Sequence, residues 1–168
     1  MVVKVEPVTC VGEHLRELAE LLILVVEDGA SVGFLPPLLE PVATRYWEDV
    51  LEPGVLLFVA KVDDEIAGSI QLHLSSKQNG DHRAEIAKLM THPKFRRRGV
   101  ARALMQTAEA RARQEGRSLI VLDTRAGDPS NLLYVSMGYQ EAGRIPNFAR
   151  SANGDLHPTV FYYKEIGS

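Results

Sequence analysis

Two β-rich runs, Val55 to Val62 and Ile66 to Leu74, are separated only by Asp63-Asp64-Glu65. A connection that short constrains the fold more than any other feature of the chain. It joins antiparallel neighbours, because a parallel crossover needs roughly a dozen residues or more. Further on the pattern changes. A third strand-like run, Arg83 to Met90, is closed by Pro93. Val100 to Glu115 is helical, with Leu104, Ala108 and Ala112 on one face, a Glu109–Arg113 pair at i, i+4 and Gly116 placed to cap the end. Leu119 to Thr124 reads as a buried strand. A hairpin followed by a strand–helix–strand unit predicts an α/β (α+β) fold, a mixed, largely antiparallel central sheet flanked by helices.

The flanking segments complete this outline. Val2 to Val8 alternates loosely and is expected as a first strand. Glu13 to Val26 puts Leu15, Leu18, Leu22 and Val25 on one helical face, with Gly29 as its stop. Pro36-Pro37 keeps Gly33 to Pro37 out of helix, and a second helix is expected from about Leu38 to Leu51, ending at Pro53-Gly54. Asn131 to Met137 reads as a short helix, Arg144 to Pro158 as a long loop and Thr159 to Lys164 as a last strand. Without repeats or linker-like composition, residues 1–168 are expected to form one domain.

Composition limits the partners. At 45% hydrophobic residues the chain can bury a proper core, and a net charge of -3 does not suit a general polyanion binder. The single cysteine, Cys10, excludes an internal disulfide and a cysteine-based zinc site; lacking a partner motif, it is expected to be buried or inert. The longest apolar runs, Leu21 to Val26 and Val55 to Ala60, fall far short of the ~20 residues a membrane span needs. The opening Met-Val-Val-Lys-Val-Glu-Pro has no signal-peptide character, so a cytoplasmic location is expected.

The most informative segment is Lys94-Phe95-Arg96-Arg97-Arg98-Gly99-Val100-Ala101-Arg102. A helix N-terminus carries partial positive charge and unpaired N–H groups, so basic residues around it disfavour the helix by about 0.3 kcal/mol or more per charge. The arrangement is explained if an anion sits there. Gly99 removes a side chain where the backbone must approach that anion, and Ala101 keeps the next turn slim. Strand, basic turn, glycine and helix together describe a phosphate cradle. The same basic residues also fit a nucleic-acid patch, which the negative net charge and the lack of interleaved aromatics disfavour.

Arg96-Arg97-Arg98-Gly99-Val100-Ala101 resembles the Arg/Gln-x-x-Gly-x-Gly/Ala signature of the GNAT acetyltransferases, and Asn131-x-x-Tyr134 followed by Gly138-Tyr139 matches that family downstream. The resemblance implies that backbone N–H groups of Arg96 to Arg102 bind the pyrophosphate of acetyl-CoA. It also implies that Leu89, Met90 and Thr91 pair with the pantetheine arm as an added strand. Tyr134 would donate a proton to the leaving thiolate, and Glu85 would contact the acceptor amine or activate it, directly or through water. Within the superfamily the chain is similar to the tabtoxin-resistance type of acetyltransferase. The stretches that carry this likeness are Leu72-His73-Leu74, His82 to Met90, Leu122 to Gly127 and Asn153 to Thr159. It implies a detoxification-style amine substrate.

The residues themselves leave several roles open. Glu85 is a carboxylate inside an apolar strand, suited to an ammonium ligand or to an ion pair with Arg83 or Lys88. Asp123, at the carboxyl end of a strand, suits binding of a cationic amine or capping of the next turn. Asn131 is expected as the cap of the helix carrying Tyr134, as a contact to the pantetheine arm, or both. His73 alternates to the polar side of its strand and lines the acceptor pocket or lies at the surface. His157 is expected in a structural or pocket-wall role, and no metal is expected, because no second ligand lies at metal spacing. The leading expectation is a small-molecule N-acetyltransferase, monomeric or homodimeric. A protein lysine or N-terminal acetyltransferase and a nucleic-acid-binding module are the alternatives.

Overall fold

A computed structural model describes residues 2–167 of the chain. The hairpin is present and one residue tighter than expected: β2 (Val55–Val62) turns into β3 (Glu65–Leu74) through Asp63 and Asp64. Both aspartates adopt left-handed backbone, φ 50° and 65°, the turn geometry whose twist matches its strands. The other strands are β1 (Lys4–Val8), β4 (Arg83–Thr91), β5 (Leu119–Arg125), β6 (Gln140–Arg150) and β7 (Leu156–Glu165). All seven form one sheet in the order β1-β2-β3-β4-β5-β7-β6, antiparallel at every step except β4 to β5.

Four helices flank the sheet: α1 (Leu15–Glu27), α2 (Glu40–Glu48), α3 (Val100–Gln114) and α4 (Ser130–Ser136). Leu18, Leu21, Leu22 and Val25 of α1 and Trp47 of α2 pack against Leu57, Val59, Ile66 and Met90 on one face. Leu104, Met105 and Ala108 of α3 and Tyr134 of α4 pack against Ile70, Leu72, Ile86, Ile120 and Leu122 on the other. The pleat then assigns Gln71, His73, Glu85 and Asp123 to the α1/α2 face. Gln71 is buried there, whereas Glu85 and Asp123 are exposed.

Three expectations need correction. The second helix starts at Glu40 rather than about Leu38, because Leu39 is extended and Pro41 takes the first turn, and it ends at Glu48. The expected loop from Arg144 to Pro158 is largely strand. β6 runs to Arg150 and β7 begins at Leu156, leaving only a short turn between them. Almost every β6 residue is exposed, so no apolar alternation marks it in the sequence, and backbone pairing with β7 holds it. Pro146 is tolerated because β6 is an edge strand. Cys10 is exposed, not buried.

One irregularity controls the centre of the sheet. Ser69 pairs with Met90 and Gln71 with Ala87, so Ile70 stands opposite both Lys88 and Leu89. This is a β-bulge, with Lys88 at φ 55°. Beside it, β4 and β5 pair only at Arg83–Leu119, Ala84–Ile120 and Glu85–Val121, although both strands continue past those pairs. The sheet is split from there on. Gly68 seats the bulged strand against α3: a Cβ there would lie 2.5 Å from the Met90 carbonyl oxygen and 2.9 Å from Val100 Cγ1. Gly68→Val is therefore expected to lower the melting temperature by about 5–10 °C, through an overpacking cost of about 2–3 kcal/mol. Gly143→Ala, where the added Cβ meets nothing within 4 Å, is expected to stay within about 2 °C of the parent in the same calorimetric scan.

Candidate active site

The basic segment folds as a cradle. His92 Nδ1 accepts a hydrogen bond from the Lys94 amide at 3.1 Å, opening a short turn over Pro93–Phe95. Buried Phe95 anchors that turn, and Lys94 Nζ and the Arg98 guanidinium lie 5.3 Å and 5.9 Å from its ring centre. Arg97 (φ 61°) and Gly99 (φ 78°) then adopt left-handed backbone on either side of Arg98. Such alternation turns successive N–H groups toward one concave side. Gly99 is the N-cap of α3 and supplies no side-chain cap. The first N–H groups of α3 therefore keep their capacity for an anion.

The split between β4 and β5 opens a cavity of about 1080 Å³ that the cradle borders. From β4 it is lined by Glu85 to Leu89 and Thr91, and from the cradle by Arg96, Arg97 and Gly99 to Arg102. Asp123 to Arg125 of β5, Tyr134 of α4, and Phe148, Ala149 and Thr159 of the last hairpin complete it. Residues 86–89 and Thr91 border the cavity along the side of β4 that β5 has left, where an extended ligand can add as a strand. The cavity volume, the backbone nest and this open strand side fit a long, phosphorylated thioester such as acetyl-CoA.

Around the cavity the polar side chains are held from behind. Asp123 Oδ2 accepts a hydrogen bond from Thr159 Oγ1 at 2.7 Å, so Asp123 is fixed by β7 and does not cap the following helix. Lys88 Nζ donates to the Val32 carbonyl at 2.7 Å, and Gly33 leaves room for it, since a Cβ there would come within 2.8 Å. Burial pushes the Lys88 ammonium below its ordinary pKa, against the pull of Asp123 and Glu85. Burial raises the Tyr134 hydroxyl well above the ordinary tyrosine range, reinforced by Asp123 and Tyr162, so it stays a proton donor. Arg125 reaches across the end of the cavity. It donates to the Gly29 carbonyl at 2.8 Å, to Ser151 Oγ at 3.1 Å and to Asp128 at 3.0 Å. His157 Nδ1 lies 2.5 Å from the same Ser151 hydroxyl.

Of the residues singled out from sequence, Glu85, Leu89, Thr91, Arg96, Arg97, Gly99, Val100, Ala101, Arg102, Asp123 and Tyr134 line this one cavity. Met90 is buried in the α1/α2 core, and Arg98, His73 and Asn131 lie outside the lining. Asn131 is not a helix cap, a place taken by Pro129. Its amide donates to the carbonyls of Arg125 and Asp128, and its oxygen accepts from Tyr162. No described ion pair involves Glu85. Glu109 keeps its expected i, i+4 ion pair with Arg113 at 4.0 Å and is held more closely by Lys164 and Tyr139 at 2.8 Å and 2.9 Å. Sequence reasoning missed Lys88, Arg125 and Thr159 as lining residues. A lysine inside an apolar strand was the available signal for the first, while the other two are informative only once their strands meet.

Gly99→Val puts a β-branched residue into left-handed backbone without a steric clash, since nothing lies within 4 Å of the added Cβ. It is expected to weaken binding of coenzyme A about tenfold or more in a calorimetric titration. The strain corresponds to about 1–2 kcal/mol.

Residues 33–139 match the model of the acetyltransferase (GNAT) family. Over 115 residues the chain is 35% identical to an uncharacterized N-acetyltransferase from the hisH-hisA intergenic region of Azospirillum brasilense, covering 66% of this chain and 68% of that protein. Among solved structures it is similar to the ribosomal-protein-alanine N-acetyltransferase of Brucella melitensis, with a TM-score of 0.81 at 17% identity over 96% of this chain and 99% of that one. It is also similar to yncA of Salmonella typhimurium, described with its cofactor acetyl-CoA, with a TM-score of 0.81 at 14% identity over 100% of this chain and 96% of that one. At such identities the two structures share the fold. The family model spans the hairpin, the cradle, α3 and α4, and the chain belongs to the GNAT family of acetyl-transferring enzymes.

Proposed function

We propose that this enzyme transfers the acetyl group of acetyl-CoA to the primary amine of a small molecule by direct attack on the thioester. The observation that carries the reading is the pair of exposed carboxylates, Glu85 and Asp123, on one face of the sheet where β4 and β5 part. Acetyl-CoA supplies an activated acetyl group. The cradle amides from Arg97 to Arg102 hold its pyrophosphate, and the open side of β4 at Leu89 to Thr91 aligns its arm. Glu85 and Asp123 attract the acceptor's ammonium, and Glu85 receives its proton. Tyr134 Oη, kept protonated by burial, is the donor for the departing sulfur.

The acceptor end is walled, which favours a small ligand over a passing peptide. Arg125 bridges the loop after α1 to the β6–β7 hairpin, and Phe148 and Ala149 close the side. Two stretches that carry the tabtoxin-resistance likeness, Leu122 to Gly127 and Asn153 to Thr159, meet in this wall through Arg125, Ser151 and His157. That meeting supports an acceptor of the detoxified-amine kind.

Acetyl-CoA at a hundred times its Kd is expected to stabilise the protein by about 2.7 kcal/mol, a rise of about 5–10 °C in melting temperature, with little effect from ATP. No shift would overturn the donor assignment. Thiol release across a panel of small primary amines and alanine-terminated peptides then tests the acceptor; turnover confined to the peptides would overturn the small-molecule reading. With an accepted amine, Tyr134→Phe is expected to lower kcat by about 10² while leaving acetyl-CoA binding unchanged.

A further inference from the structure

Gln71 is 3% exposed, and both ends of its amide are in use. Its Nε2 donates to the Tyr46 hydroxyl of α2 at 2.8 Å, and its Oε1 lies 2.9 Å from His73 Nε2, two residues along the same face of β3. An amide oxygen only accepts, so His73 donates from Nε2, and in the neutral ring the lone pair is on Nδ1. His73 stands directly opposite Glu85 in the β3–β4 ladder. Facing side chains at such a pair share one face, with Cβ atoms about 5 Å apart. Glu85 lines the cavity and His73 does not. The carboxylate is in front and the clamped imidazole behind it.

We propose that His73 is the proton sink of the site, taking from Glu85 the proton that Glu85 removes from the acceptor ammonium and releasing it to water. This rests on the role given to Glu85 above. The proton inventory leaves one proton for the site to hand on. When the N–C bond forms and the C–S bond breaks, the ammonium's three hydrogens separate. One remains on the amide, one ends on the thiol, and one must leave as H⁺. A carboxylate that kept that last proton would be unable to serve the next turnover. His73 is half-buried, so it touches both the Glu85 side and solvent. The groups around it are Glu85 and Lys88 from β4, Glu52 before β2 and the Tyr46 hydroxyl from α2. Burial pushes the imidazole below its ordinary pKa and Lys88 adds to this, while Glu85 and Glu52 oppose it. A ring poised that way is neutral before each turnover and gives its proton up readily.

The test combines nitrogen NMR with kinetics. In ¹⁵N-labelled protein, the signal lost in His73→Gln identifies His73. The Nε2–H tautomer is expected, with a titration midpoint below the ordinary value of about 6.5. Glu85→Gln is expected to lower that midpoint further, because a negative charge favouring the imidazolium is gone. Tyr46→Phe, which removes the clamp's anchor, is expected to give a mixture of tautomers. With an accepted amine, His73→Gln is expected to lower kcat about tenfold or more with the KM for acetyl-CoA unchanged, and to displace the acid limb of the rate profile. An Nδ1–H tautomer in the parent, a midpoint indifferent to Glu85→Gln, or an unchanged pH profile would each overturn the assignment. The NMR measurement needs no acceptor, so it judges His73 even if no amine turns over.

Discussion

Everything distinctive about this molecule follows from one extra residue in β4. Because Lys88 and Leu89 share a single partner on β3, the strand turns away from β5 after Glu85. A sheet that kept its full ladder would satisfy those backbone groups internally and leave no opening. Here the interrupted ladder creates three things at once. It opens a gap wide enough for a ligand, leaves a strand side able to receive one, and gives access from the cradle to the polar face bearing Glu85 and Asp123. The bulge is affordable because the surrounding packing is dense. Gly68 lets α3 press directly onto the strand, and Met90, just beyond the bulge, is buried against α1 and α2.

A second, buried network keeps the far side of the opening in place. Glu109 of α3 is almost fully enclosed and accepts hydrogen bonds from Tyr139 and Lys164. A buried carboxylate deprived of such partners would be strongly destabilising, so the trio fixes α3, the turn after α4 and β7 relative to one another. The Tyr139 ring lies 5.9 Å from that of Tyr134, and the Tyr162 ring lies at the same distance on a hydroxyl bonded to Asn131. Asn131 and Tyr139 therefore hold the tyrosine without lining the cavity themselves.

How much of this could be read from the residues follows from what kind of signal each part leaves. α1, α3 and β5 bury one face, and burial writes a period into the sequence, while the hairpin strands are buried on both faces and read as apolar runs broken by a turn; their bounds came out within a residue or two. The cradle was legible because arginines around a helix start contradict the dipole. β6 left no period because both its faces are exposed. The bulge left none either, since a register shift depends on the partner strand. Arg125, Thr159 and Lys88 are ordinary polar residues until three distant segments converge on them. For the same reason His73 was visible as a polar residue on a strand, but its clamp was not, because Tyr46, Gln71 and Glu85 come from three different elements.

The Arg125 bridge has a consequence for how such an enzyme diversifies. Its partners, the Gly29 carbonyl and Ser151, belong to two surface loops, of which the first also meets the cradle through the Asp28–Arg96 ion pair and the second, around Ser151, contacts neither the cradle nor the core beneath α3. The donor half and the acceptor wall are thus joined by a few side chains, Arg125, Lys88 and Arg96, and are otherwise built from separate stretches of chain. Changes of length or composition in the loop around Ser151 can remodel which amine is admitted while the machinery that handles acetyl-CoA is inherited intact.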